Sequence, residues 1–380
     1  MRCWGNMLNT RCASSRPNLH RMIRPFPLMF FALLAQASVV ATSDSWGQTP
    51  ADVPPSLAWD VSADPRNAAI GGLDVAPVAG DGWSAVLHPA ALDSTVEQHV
   101  YTSYLDYFAG MRTGAVAVPL APSGRRASYV GIRFATFGEF EGSTAAGDPT
   151  GAFSGGDYVA QYGTSWVLDS NWVVGVAGMV GLRNLEQVNA GVVGADLGLV
   201  RRSDNGLGAV GLLVSNFGVQ EDFSGIMPEG RLRPNVQVGV TQGFPNAPFT
   251  FHLRLQRLET WDLAPAGTYD DFIDPLTGDV IPNDTWVWGD QFFRHVTGGV
   301  TLNLGPQLRG YIGYNHQRQK TMAAAGRTGV NGMSVGMRGR FRNFDLSVAR
   351  SVYHFAGSST HLGLILRRPE APPKSTPLPP

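Results

Sequence analysis

The run Gly332-Met333-Ser334-Val335-Gly336 has the G-x-S-x-G spacing of a serine nucleophile elbow. Such an elbow is a sharp strand-to-helix turn that exposes the Ser, with a base and an orienting acid in reach. Here Met337-Arg338-Gly339-Arg340-Phe341 continues an alternating pattern through the run, which makes it a glycine-rich strand with Ser334 on the polar side. Asp345 and His354 simply fall in the next strand. A second candidate is the stretch 259–290, with Glu259, Asp262, Asp270, Asp271, Asp274, Asp279, Asp284 and Asp290. Carboxylates are calcium ligands, but the spacing fits no EF-hand or repeat, so the stretch reads as a solvated acidic loop. His99, His252, His295, His316, His354 and His361 are scattered singly, with no short-spaced pair on one strand to hold a metal. These residues therefore predict a chain with no catalytic residue, metal or cofactor.

The chain has 380 residues, of which 43% are hydrophobic and 16% charged, with 46 Gly and 2 Cys. Intrinsic disorder needs the opposite balance. Cys3 and Cys12 both precede an expected cleavage site, which leaves the mature chain without a disulfide, a thiolate ligand or a Cys nucleophile. A basic stretch over 11–24, the apolar run Pro25–Leu34 and the small-residue patterns Ala35-Gln36-Ala37 and Val39-Val40-Ala41 describe a secretory signal over 1–41. Setting aside its five arginines leaves 24 basic against 30 acidic residues, a slightly acidic body with no footprint for nucleic acid. No stretch approaches the ~18 consecutive apolar residues of a transmembrane helix. An exported chain of this kind can still occupy a membrane as a barrel.

Most of the remaining chain alternates with period two. Phe249, Phe251, Leu253 and Leu255 alternate with Thr250, His252, Arg254 and Gln256; Val335 and Met337 oppose Ser334, Arg338 and Arg340; Val130 and Ile132 flank Arg133. No sustained 3.6-residue period accompanies it. Fourteen strands are predicted, near 98–108, 111–119, 126–138, 155–167, 171–184, 189–202, 206–218, 234–244, 248–258, 291–304, 307–319, 329–341, 343–354 and 360–366. Connections after strands 4, 6, 8, 10 and 12 are tight. Those after strands 3, 5, 7, 9 and 11 are mostly longer, notably 139–154, 219–233 and 259–290. Short turns at one end and long loops at the other are the plan of a 14-stranded antiparallel transmembrane β-barrel in the outer membrane, with both termini periplasmic. The lipid bilayer is then a partner of the apolar faces, while His252, Arg254, Arg338 and Arg340 face the lumen. Tyr101, Tyr104, Tyr107, Phe108, Trp166, Trp172, Trp286 and Trp288 sit near predicted strand ends, as an aromatic girdle would. Residues 42–97 are turn-rich and suit a plug inside the barrel, and the proline-rich tail 367–380 is expected to be disordered.

An ordered set of short motifs spans about 68–366. Gly71-Gly72 precedes His88-Pro89-Ala90-Ala91-Leu92, similar to the N-terminal Asn-Pro-Ala stretch of FadL-like outer-membrane proteins, with His88 in place of Asn. Asp106–Gly110, Phe137-Gly138-Glu139-Phe140, Gly151-Ala152-Phe153, Ala195-Asp196-Leu197-Gly198, Asn216-Phe217-Gly218, Gly313-Tyr314-Asn315, Gly332–Gly336 and Tyr353–Gly357 follow. In this order they resemble the PorQ family of the type IX secretion system. That resemblance implies a FadL-like barrel without enzymatic activity, serving as a subunit of a secretion and surface-attachment apparatus whose other proteins are its partners. The alternative is a FadL-like channel for small hydrophobic compounds. Within the acidic loop, Trp261, Phe272, Trp286 and Trp288 are the candidate contacts for a surface partner, since aromatic anchors carry most of the energy of such interfaces.

Overall fold

The computed structural model describes residues 52–53, 57–93, 96, 98–144, 146–186, 188–225, 229–273, 278–321, 330–354 and 357–367. The expected signal over 1–41 and the proline-rich tail beyond 367 lie outside them. Fourteen strands form one closed antiparallel barrel: β1 Val100–Asp106, β2 Arg112–Pro119, β3 Arg126–Ser143, β4 Pro149–Val167, β5 Trp172–Leu185, β6 Val188–Arg202, β7 Gly208–Asp222, β8 Asn235–Gly243, β9 Phe249–Leu255, β10 Val296–Asn303, β11 Leu308–Asn315, β12 Met333–Arg340, β13 Phe344–His354 and β14 Gly357–Leu366. Each pairs with its neighbours in sequence, and β14 closes on β1 from Thr360 opposite Asp106 to Leu366 opposite Val100. Closure removes the free edges and satisfies backbone groups between strands, which is what spanning a bilayer requires of β structure.

The alternation sets the two faces. Ile132 is 60% exposed and points outward, while Arg133 beside it is 3% exposed and points inward. Val180, Leu182, Val193, Leu253, Val335 and Met337 are likewise exposed, and Asp157, Gln161, Asp196, Thr241, His252 and Ser334 are buried. The molecule therefore wears its hydrocarbon outside. A continuous apolar belt of this extent does not occur on soluble monomers and fits lipid. Sliding one strand by one residue would turn Arg133 into that belt, at roughly 2–4 kcal/mol near mid-bilayer.

Several boundaries differ from the sequence expectation. The stretch 139–154, predicted as a loop, is mostly strand: β3 runs to Ser143, β4 starts at Pro149, and Phe140 stacks on Phe153 with centroids 5.4 Å apart. A bulge at Phe137-Gly138 hid this continuity, because pairing jumps from Thr136 to Glu139 and Gly138 takes φ +82°. The predicted strand 291–304 begins only at Val296, after helix α3 Val287–His295; the predicted strand 307–319 ends at Asn315 and continues as helix α4 His316–Thr321. Two short helices, α1 Leu57–Asp60 and α2 Pro65–Ala69, precede the barrel. At α2 the cause is local. Asp64 caps the first turn by accepting from the backbone N–H of Arg66 and Asn67, and Pro65 supplies a preset φ at the first position.

Candidate functional site: an obstructed lumen

Residues 57–93 pack against inward-facing wall residues from many strands. Arg133 on β3 donates through Nη1 to the Trp59 carbonyl (3.0 Å), and Gln161 and Ser165 on β4 donate to the carbonyls of Val86 (2.9 Å) and Leu92 (2.7 Å). Arg202 on β6 pairs with Asp93 and bonds the Pro77 carbonyl at 3.2 Å. Asn315 on β11 donates to the Gly71 carbonyl at 3.3 Å. Apolar side chains fill the spaces between, as where Trp83, Val86 and Leu92 meet Tyr101, Tyr129 and Ile365. His88 is fully buried, with Nε2 2.9 Å from the Val75 carbonyl. The wall has room for this because glycines occupy inward positions. A Cβ on Gly211 would lie 1.8 Å from the Val75 oxygen, and one on Gly313 would lie 2.1 Å from the Ile70 carbonyl carbon.

The predicted lumen-facing residues join this network. His252 places Nδ1 3.1 Å from the Thr241 hydroxyl and Nε2 3.0 Å from that of Thr301, with Asp74 at 3.5 Å. Asp74 also holds Arg66, whose other arm pairs with Asp81. Arg254 donates to Gln256 (2.7 Å), Gln237 and Thr297 (both 3.3 Å). Arg338 pairs with Asp345 and lies 5.4 Å above the Trp83 ring, and Arg340 reaches the same carboxylate at 3.6 Å. Ser334 is buried inside β12, and its Oγ makes no hydrogen bond among the described residues. It sits on no turn, and Asp345 is engaged by Arg338 and Arg367.

Above the internal segment the lumen holds a cavity of about 300 Å³. Trp59, Leu73, Leu87, Leu213, Tyr107 and Tyr353 supply apolar and aromatic surface; Arg254, Arg257 and Arg318 supply positive charge, and Asp196 one carboxylate. Tyr107 meets Tyr353 edge to face at 4.8 Å, and the Arg318 guanidinium covers Tyr353 at 3.9 Å. Asp196 reaches the cavity from a second bulge. Pairing skips between Ala195 and Leu197, Asn216 adopts φ +65°, and its N–H donates to Asp196 at 2.9 Å. Asp196, Arg257, Arg318, Tyr107 and Tyr353 were not among the expected site residues. The break in strict alternation at Ser215-Asn216, opposite Asp196, was the available signal. Two girdle assignments are corrected as well: Tyr101 faces inward against Trp83 at 6.3 Å, and Tyr107 lines the cavity, while Tyr104, Trp166 and Trp172 do face outward.

The described residues of the connection 256–295 are tied together by hydrogen bonds and ion pairs rather than forming a solvated loop. Its acids serve local bonds: Asp262 accepts from the Ala264 N–H and from Gln291, and Asp271 from the Asn283 N–H. Asp290 pairs with Arg294 (2.7 Å) and Lys320 (3.4 Å) and accepts from Tyr269 (2.9 Å). Burial opposes its charge, but the bonds from Arg294, Tyr269 and His316 outweigh burial and hold the carboxyl at about 2. The candidate partner contacts Trp261, Trp286 and Trp288 are exposed, with the Trp288 ring tilted against Trp261 at 6.0 Å and Trp286 at 5.8 Å. Phe272 lies in a two-residue strand paired with Val280–Ile281, and its side chain is outside the described set.

No protein-family model matches the chain, and no curated protein does, so the resemblance to the PorQ family gains no support there. Among solved structures, the chain is similar to the Pseudomonas putida toluene transporter TodX, at 12% identity over 82% of this chain and 98% of that one, with a TM-score of 0.47. It is similar to the Ralstonia pickettii toluene transporter TbuX at 10% identity, over 81% and 97% of the two chains, with a TM-score of 0.44. It is also similar to a Pseudomonas aeruginosa FadL homologue at 11% identity, over 80% and 96%, with a TM-score of 0.41. The closed 14-stranded barrel itself stands on the strand pairing of this chain.

Proposed function

We propose that the protein is an outer-membrane channel of FadL-like plan that admits small, largely hydrophobic compounds. The observation that carries this reading is the cavity of about 300 Å³ above the internal segment, where Trp59, Leu73, Leu87, Leu213, Tyr107 and Tyr353 supply apolar and aromatic surface beside Arg254, Arg257, Arg318 and Asp196. Such pockets bind through apolar burial, with a few polar groups fixing orientation. The residues that floor it, Trp59, Leu73 and Leu87, belong to the internal segment, so passage further down the lumen requires that segment to move. Toluene uptake by cells producing the protein tests the reading. Leu213→Trp, which fills the cavity, should abolish the increment over cells lacking the protein. Uptake equal in the two strains would overturn it.

The second reading is a non-enzymatic barrel subunit of a secretion and surface-attachment apparatus, implied by the resemblance and supported by the exposed Trp261, Trp286 and Trp288. Deleting about 264–284 should leave the barrel assembled and reduce co-purification of the apparatus proteins. Unchanged co-purification would remove that role.

A further inference from the structure

Helix α3 is amphipathic with its polarity reversed. Trp286 at its cap is 69% exposed, and Trp288 and Phe293 are 57% and 49% exposed, whereas Gln291, Arg294 and His295 are buried. The polar side is occupied. Gln291 bonds Asp262 and the Leu263 N–H, Arg294 pairs with Asp290, and the His295 ring lies 2.8 Å from the Gln256 carbonyl and 3.2 Å from that of Trp261. A helix at a water-facing loop normally turns its apolar stripe toward the protein.

The direction of the aromatic side follows from α4. Gln317, Arg318 and Thr321 on one face of α4 line the lumen cavity. On the opposite face, His316 and Lys320 contact Asp290, and His316 contacts Phe293 at 5.9 Å. α3 therefore packs on the side of α4 away from the lumen. The same His316 meets Tyr314 edge to face at 6.1 Å, and Tyr314 is an outward position of β11, two residues beyond the exposed Ile312. The aromatic row Trp286, Trp288, Phe292, Phe293 is thus continuous, through His316, with the lipid-facing wall.

We propose that the aromatic face of α3 lies in the headgroup zone of the outer leaflet and braces the connection 256–295 on the membrane. Trp and Phe on one side of a short surface helix favour that depth, where ring surface is buried and polar edges stay wet. Arg294 and Lys320 lie against Asp290 and off the aromatic row, so attachment rests mainly on apolar burial and depends only weakly on salt. This inference depends on the barrel spanning a bilayer, but not on what passes through it.

The full chain with Cys3→Ser and Cys12→Ser, carrying Phe293→Cys and a polarity-sensitive fluorophore, is reconstituted in phosphatidylcholine–phosphatidylglycerol vesicles. Ile312→Cys on the barrel wall and Asp284→Cys in the connection serve as lipid and water references, and Trp288→Cys repeats the measurement from a second position on α3. Headgroup-level nitroxide lipid should quench the Phe293 and Trp288 probes by roughly half or more of the quenching at Ile312. Aqueous iodide should quench them far less than the Asp284 probe, at low and high salt alike. If Ile312 is quenched by lipid while the α3 probes behave like Asp284, the proposal fails, and the face is open to water or to a protein partner. Loss of lipid quenching at Ile312 as well would overturn the membrane barrel along with it.

Discussion

Gly313 and Asp345 show how much of this architecture is settled by single side chains. The inward face of β11 has no Cβ at 313 because the Ile70-Gly71 backbone lies there, 2.1 Å from where that carbon would be. Neither partner is a flexible side-chain tip, so Gly313→Val must push the internal segment off the wall. Trypsin should then cut at Arg66, which the parent protects, while the barrel still migrates as a folded band; an unchanged digestion pattern would contradict the packing. Asp345 is buried at the meeting point of Arg338, Arg340 and Arg367. Asp345→Ala leaves three cations facing one another. A dry buried pair loses about 3–5 kcal/mol on such truncation; here the partly exposed Arg340 and Arg367 relax into water, and about 1–3 kcal/mol is expected from urea unfolding of the reconstituted barrel.

At the scale of elements, α3 and α4 are held together by charge as well as by rings. Arg294, Lys320, His316 and Tyr269 all converge on Asp290. Its carboxyl sits at about 2, below the ordinary carboxylate value of about 3.9. A depressed acid stabilises the fold fully above its unfolded value and loses that contribution as pH falls toward the folded one. The amide protection factors over 287–295, with the intrinsic pH dependence of exchange divided out, should accordingly hold to about pH 4 and fall below it. Asp290→Asn should exchange faster throughout, with this acid step removed. A step that persists in the variant would assign it to another group. Helix α3 is not legible in the sequence for a physical reason: nine residues abutting a strand carry too few turns for a period to stand out, and a reversed stripe mimics the outward residues of the strand that follows.

For the molecule as a whole, a closed wall with no free edge resists detergent, so the purified protein should shift in electrophoretic mobility on boiling and fractionate with outer membranes. A soluble periplasmic protein without that shift would sink the barrel. The lumen is obstructed by residues 57–93, which engage Arg133, Gln161, Ser165, Arg202 and Asn315. Deleting 57–93 should raise ion conductance across planar bilayers well above that of the full chain, at a cost in stability because Arg133 loses the Trp59 carbonyl. Equal conductance of the two forms would show that the wall closes the path without the segment.

Strand number, strand order and the two faces were legible in the sequence because a barrel wall repeats one rule locally. Every inward residue such as Arg133 or His252 is flanked by outward ones such as Ile132 or Leu253, and lipid on one side with a polar lumen on the other enforces the alternation residue by residue. The rule lapses where that two-sided environment ends or the register shifts, which is why the upper β3–β4 hairpin, α3 and α4 were misread. The cavity had no local signature at all. Trp59, Asp196, Arg254, Arg318 and Tyr353 come from the internal segment, β6, β9, α4 and β13, and they meet only because the sheet closes and the segment folds into it. Two bulges, at Phe137-Gly138 and at Ser215-Asn216 opposite Asp196, set where the walls bend, and their effect exists only between paired strands. Pattern alone decided which way each side chain points; closure decided which side chains face one another.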